Sequence, residues 1–193
     1  QMCIRDSFMP DRGDASTRQP IPTDKLRVIQ QRCQTTDDEP RWLVALISDT
    51  GMRLSEAAGL AREDIVLDAD IPHVIIRPHP WRCLKTKGSE RTLPLVGASL
   101  WAAERAVEAS QHSPYLFPRY CNDKGCKANS ASAALNKWLK QTIGDDYVMH
   151  SFRHSMRDRL RAVNCSTEMI DQIGGWSKRS VGEGYGAVSY THL

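Results

Sequence analysis

Apolar residues recur along this chain at two spacings, and the changes between them outline the fold before any motif is considered. Thr23 reads as the N-cap of a helix to about Thr35, with Leu26, Ile29 and Cys33 inward. Pro40, at a tolerated first-turn position, opens a second helix whose buried stripe is Leu43, Leu46 and Ile47 and which halts near Gly51. A short helix carrying Arg53 and Glu56 follows. From Ile65 to Leu67, His73 to Arg77 and Arg91 to Val96 the pattern becomes β-branched and alternating, with Pro72, Pro78 and Pro80 at the edges. Helical spacing returns over Gly97 to Ala109 and over Asn129 to Thr142, where Ala131, Ala134, Leu135, Trp138 and Leu139 share a side. Tyr120 to Ala128 between them reads as an irregular loop.

The last periodic stretch differs in kind. With Phe152 at the centre of a helical face, Met156, Leu160 and Val163 follow on the same side at offsets of four, eight and eleven residues. The other side collects His150, Arg153, His154, Arg157 and Arg161, a concentration of donors that a hydrophobic core does not explain and an anion does. A second amphipathic run, Thr167 to Ile173 with Met169, Ile170 and Ile173 inward, stops at Gly174-Gly175. Trp176 comes next, and Tyr185 nine residues later. These elements describe an α+β chain, mostly helical, with a small three-stranded antiparallel sheet.

Charge sharpens this picture only locally. The 193 residues carry a formal net charge of +3, but Arg77 to Arg91 holds five basic residues against one acid, and Arg153 to Arg161 four against one. Patches of this kind matter more than the total when phosphate is the partner. The six cysteines lack paired spacing, so reduced thiols are expected, and Cys121, Cys126 and His112 lack the second ligand pair of a zinc site. No apolar run approaches the roughly 20 residues of a membrane span, and no signal-peptide core is present, so a cytoplasmic protein is expected. Residues 1–22 read as a linker or arm, 23–188 as one catalytic domain and 189–193 as a truncated tail. The stretches at 1–7 and 188–193 resemble translated adapter sequence, as in a fragment cut at both ends.

Four boxes in order resemble the tyrosine recombinases, or phage integrase family, over roughly residues 20 to 188: Thr50-Gly-Met-Arg53-Leu-Ser-Glu56, the Lys85-Thr-Lys-Gly-Ser-Glu-Arg-Thr-Leu-Pro-Leu segment, His150-Ser-Phe-Arg153-His154 and Ile173-Gly-Gly-Trp176. In isolation Arg53 and Glu56 would be a surface ion pair, Lys85 and Lys87 a solvated loop, and His150, Trp176 and Tyr185 structural residues. The resemblance implies otherwise. Arg53 and Arg153 would bind the scissile phosphate, joined by Trp176 in the place of the family's histidine. Tyr185 would be the nucleophile and His150 the base or proton shuttle, with Glu56 and His154 in support. Lys85 would be the general acid, favoured over Lys87 by counting back from Pro94. Arg82, Lys87, Arg91, Arg157 and Arg161 would contact DNA.

The same resemblance implies a double-stranded attachment site as partner, a tetrameric synapse formed on DNA, accessory DNA-bending proteins and no membrane. It implies no cofactor. A phosphotyrosine stores the bond energy, and the sequence contains neither a Gly-x-x-x-x-Gly-Lys-Ser/Thr loop nor a two-metal carboxylate cluster. Tyr190 is the rival nucleophile. The alternative functions are a non-catalytic DNA-binding remnant of a mobile element and a type IB topoisomerase-like strand transferase.

Overall fold

A computed structural model describes residues 19–85 and 89–176. Its centre is helix α2 (Glu39–Thr50), in which every side chain from Leu43 to Ser48 is buried. A helix apolar on nearly all sides must be surrounded. Around it lie α1 (Thr23–Thr36), α4 (Gly97–Ala109), α5 (Ala128–Ile143) and α6 (Ser151–Ala162). Leu26, Ile29 and Cys33 of α1 face it as their spacing predicts, although Pro22 rather than Thr23 occupies the N-cap position. Asp38 caps α2 by accepting the Arg41 amide at 3.1 Å.

Helix α2 ends at Gly51, whose backbone is left-handed at φ +62. A Cβ there would stand 2.8 Å from the Met156 Cβ of α6, so this glycine permits both the turn and the close approach of two chain segments. Short helix α3 (Leu54–Ala58) follows, then strands β1 (Ile65–Val66), β2 (His73–Ile76) and β3 (Arg91–Pro94), antiparallel in the order β1-β2-β3. Val74 pairs with Leu93 and Ile76 with Arg91; Val74, Ile76 and Leu93 are buried. Helix α7 (Thr167–Gly174) packs on α6 and on β3, which brings the end of the described chain back to the start of its chemistry. Among the described residues no helix is long and apolar enough to cross a membrane.

Three sequence expectations are corrected. Cys121 and Cys126 are not unpaired thiols in a loop: they face each other across a hairpin of β4 (Cys121–Asn122) and β5 (Gly125–Cys126), bridged as a disulfide with Cα atoms 4.3 Å apart. Antiparallel register sets them opposite, which linear spacing does not reveal. Val163 and Met169, expected inward, are 73% and 53% exposed, Val163 standing at the C-cap beyond the last residue of α6. Leu160 is half-buried rather than core.

Candidate active site

Arg53 stands at the N-cap position of α3, and Glu56 three residues on returns a carboxylate oxygen to its amide at 3.0 Å. The pair is thus held by a contact local to one turn of the chain. The Arg53 guanidinium lies 2.5 Å from Glu56 Oε1, donates to the Ser89 hydroxyl at 3.2 Å and reaches within 3.5 Å of the Gly175 carbonyl. Arg91, on β3, closes the other side of Glu56 at 2.8 Å. Burial by itself would push the Glu56 carboxyl up. The hydrogen bonds and charge of Arg91, with the amide and guanidinium of Arg53, outweigh that and hold it below its ordinary value.

Arg153 enters from α6. It donates to the Gly51 carbonyl at 3.1 Å and to the Gly174 carbonyl, and it is buried. Desolvation, reinforced by the neighbouring charges of Arg53 and Arg91 and opposed by Glu56, pushes its guanidinium down to about 10, which leaves it charged at neutral pH. The Trp176 ring lies under this group. The Arg153 guanidinium is 4.3 Å and that of Arg157 5.3 Å from the indole ring. Gly174 allows the packing, since a Cβ at that position would fall 1.8 Å from the Trp176 ring.

His150 occupies the N-cap position of α6, exposed, with its ring 5.2 Å from that of His154. It lines a polar cleft of about 240 Å³ together with Arg53, Met52, Leu54, Ser132, Asn136, Val148 and Met149. Asn136 was not legible as a site residue. Its side-chain oxygen accepts the Met149 amide at 2.7 Å and so sets the entry to α6 just before His150. Ser89, buried and bonded to Arg53, was also missed; as a serine within a basic loop it carries no sequence signal.

Lys85 is exposed at the loop between β2 and β3. Lys87, Tyr185 and Tyr190 lie outside the described residues. Arg161 is exposed and Arg157 half-buried, both beside the start of α7. Arg82 and Arg91, expected to contact DNA, are turned inward. Arg82 is 4% exposed over Gly59, and its two terminal nitrogens have no hydrogen-bond partner among the described residues; the Arg91 side chain is 4% exposed on Glu56. Arg77 is likewise engaged, 2.8 Å from each of Asp64 and Glu63. Two members of the apparent basic patch, Arg77 and Arg91, are thus paired with acids within the fold.

The family model described as Phage integrase family matches residues 21–192, and the chain belongs to that family. Tyrosine recombinase XerC of Neisseria meningitidis serogroup B is 24% identical over 154 residues, which are 78% of this chain and 48% of that protein. The chain thus spans about half the length of this curated relative. Among solved structures, XerA recombinase superposes with a TM-score of 0.67 at 16% identity, over 86% of this chain and 58% of that one. The Tn1549 transposon integrase in complex with circular intermediate DNA gives 0.62 at 17% identity, over 86% and 61%. A lambda integrase tetramer bound to a Holliday junction gives 0.61 at 13%, over 88% and 48%. The mostly helical α+β fold with its three-stranded sheet is therefore that of tyrosine recombinase catalytic domains.

Proposed function

We propose that this chain supplies the catalytic domain of a site-specific DNA recombinase. One observation carries the reading: Arg53, at the start of α3, and Arg153, on α6, converge on the neighbouring carbonyls of Gly175 and Gly174, beside Trp176. Two guanidinium groups held this close, with one carboxylate between Arg53 and Arg91, suit a doubly hydrogen-bonding oxyanion such as a phosphodiester.

In the proposed reaction the Tyr185 phenolic oxygen attacks the scissile phosphorus and gives up its proton, with His150 as base or shuttle. The bond from phosphorus to the 5′ oxygen breaks, and Lys85 protonates the departing oxygen. A 3′-phosphotyrosine and a free 5′ hydroxyl result. Attack by a 5′ hydroxyl on the phosphotyrosine reverses the sequence and rejoins DNA. Negative charge grows on the non-bridging oxygens in the five-coordinate transition state, where a preorganised donor typically contributes about 3 kcal/mol. Arg53 and Arg153 are the donors, and Trp176 adds its indole N–H. Duplex DNA is the partner, with several copies of the chain assembling on it, as the lambda integrase tetramer does on its junction.

The test is covalent capture: the chain is incubated with a pool of nicked duplexes randomised around the nick, and DNA surviving denaturation on the protein is sequenced. The reading expects a recovered, converging sequence. Recovery without convergence, together with relaxation of supercoiled plasmid, would indicate topoisomerase-like transfer. Binding without any adduct would indicate a non-catalytic DNA-binding protein.

A further inference from the structure

We infer that Arg91 is a positioning residue that ties the lysine-bearing loop, the Arg53–Glu56 pair and the Gly174–Trp176 turn into one unit. The inference rests on the recombinase reading for its consequence and on the geometry alone for its premise.

All three guanidinium nitrogens of Arg91 are used, each toward a different part of the site. Nε donates to the Ile173 carbonyl at 2.8 Å, in the last turn of α7. Nη1 donates to the Ser89 carbonyl at 2.7 Å, where the lysine-bearing loop returns to β3, and lies 3.4 Å from Glu56 Oε1. Nη2 donates to Glu56 Oε2 at 2.8 Å. Ser89 is itself divided between the two arginines, its carbonyl on Arg91 and its hydroxyl on Arg53. The Gly175 backbone lies directly against the same group, since a Cβ built there would stand 2.8 Å from Nη1.

Its side chain is 4% exposed, so Arg91 meets protein and not solvent. The planar fork has the donors and directions to hold three acceptors at once; a lysine ammonium reaches the carboxylate but cannot span them. Arg53 and Arg153 take their own backbone acceptors from Gly175 and Gly174, the two residues after Ile173. A shift at the Ile173 carbonyl is therefore passed to both phosphate-binding groups. Displacements of about 1 Å at such groups cost on the order of 10²-fold in rate.

The test compares the full chain with Arg91→Lys, which keeps the charge on Glu56 and avoids leaving a buried carboxylate alone. On a nicked duplex recovered by covalent capture, the single-turnover cleavage rate at saturating DNA is expected to fall about 100-fold, with the DNA Kd changed by less than about threefold. A saturated rate within about threefold of the parent overturns the inference, as does a weakened Kd with the saturated rate intact, which would make Arg91 a DNA contact. Hydrogen exchange reads the same claim without catalysis. Amides of Gly175 and Trp176 should exchange about tenfold faster in Arg91→Lys while those of α1 keep their rates. Equal acceleration throughout, or none, overturns it. If the parent forms no adduct, the recombinase reading fails and the exchange measurement still decides the positioning claim.

Discussion

Glu56→Gln tests the electrostatics of the site most severely. The Glu56 side chain is 3% exposed and balances Arg91 at 2.8 Å and Arg53 at 2.5 Å, with the buried Arg153 nearby. Glutamine preserves the volume but removes the charge, and its amide nitrogen turns a donor toward guanidinium donors. Breaking a buried ion pair from one side typically costs about 3–5 kcal/mol. For a domain of this size, about 2–4 °C of melting temperature per kcal/mol converts that to a fall of roughly 6–20 °C. The pH dependence gives a second signature. The native carboxyl lies below its ordinary value of 4.5, so its contribution is complete above that value and is lost as pH falls through the depressed native one. Urea denaturation across a pH series should show a constant gap between parent and variant near neutrality that closes in acid. A gap below about 1 kcal/mol at pH 7, of the size exposed pairs give, or one independent of pH, would refute the reasoning.

Gly51→Ala should lose about 1–3 kcal/mol by thermal unfolding, because φ is +62 and the new methyl meets Met156 at 2.8 Å. An unchanged melting temperature would show that α2 and α6 separate freely. Arg82→Met removes a guanidinium whose terminal nitrogens are buried without partners among the described residues, so stability is expected to rise by about 1 kcal/mol or more with DNA affinity unchanged. A large loss of affinity would instead restore Arg82 as a DNA contact. With a thiol reagent, mass mapping should find the exposed Cys83 modified rapidly and Cys33 only after unfolding, since burial pushes the Cys33 thiol up to about 12.

Much of the fold was legible because its elements are regular. Helix α4 has the bounds its pattern predicts, the three strands pair as expected within a residue or two at their ends, and Pro40 and Gly51 mark α2. The pairing of Arg53 with Glu56 was readable as well, being local to one turn. What sequence could not supply was where long side chains end. Arg82 sits in a stretch that reads as a solvated basic loop and Arg91 opens the strand that follows it, yet both fold inward. Arg91 finds a buried acid 35 positions away, and Arg82 packs on a glycine 23 positions away. Helical period likewise placed Arg153 opposite Phe152, but both are buried, because α7 covers the second face of α6. Cys121 and Cys126 became partners only through a hairpin whose strands are two residues long, too short for an alternating pattern to show.

The most direct measurement is mass spectrometry of the protein–DNA adduct after nuclease and protease digestion, for the parent, Tyr185→Phe, Tyr190→Phe and Arg53→Ala. A phosphodiester-linked nucleotide on Tyr185, retained in Tyr190→Phe, abolished in Tyr185→Phe and reduced on the order of 10²-fold or more in Arg53→Ala, is the predicted result. A nucleotide carried by Tyr190, or an adduct that forms equally well without Arg53, would contradict the assignment of Arg53 and Arg153 as the phosphate-binding pair serving Tyr185.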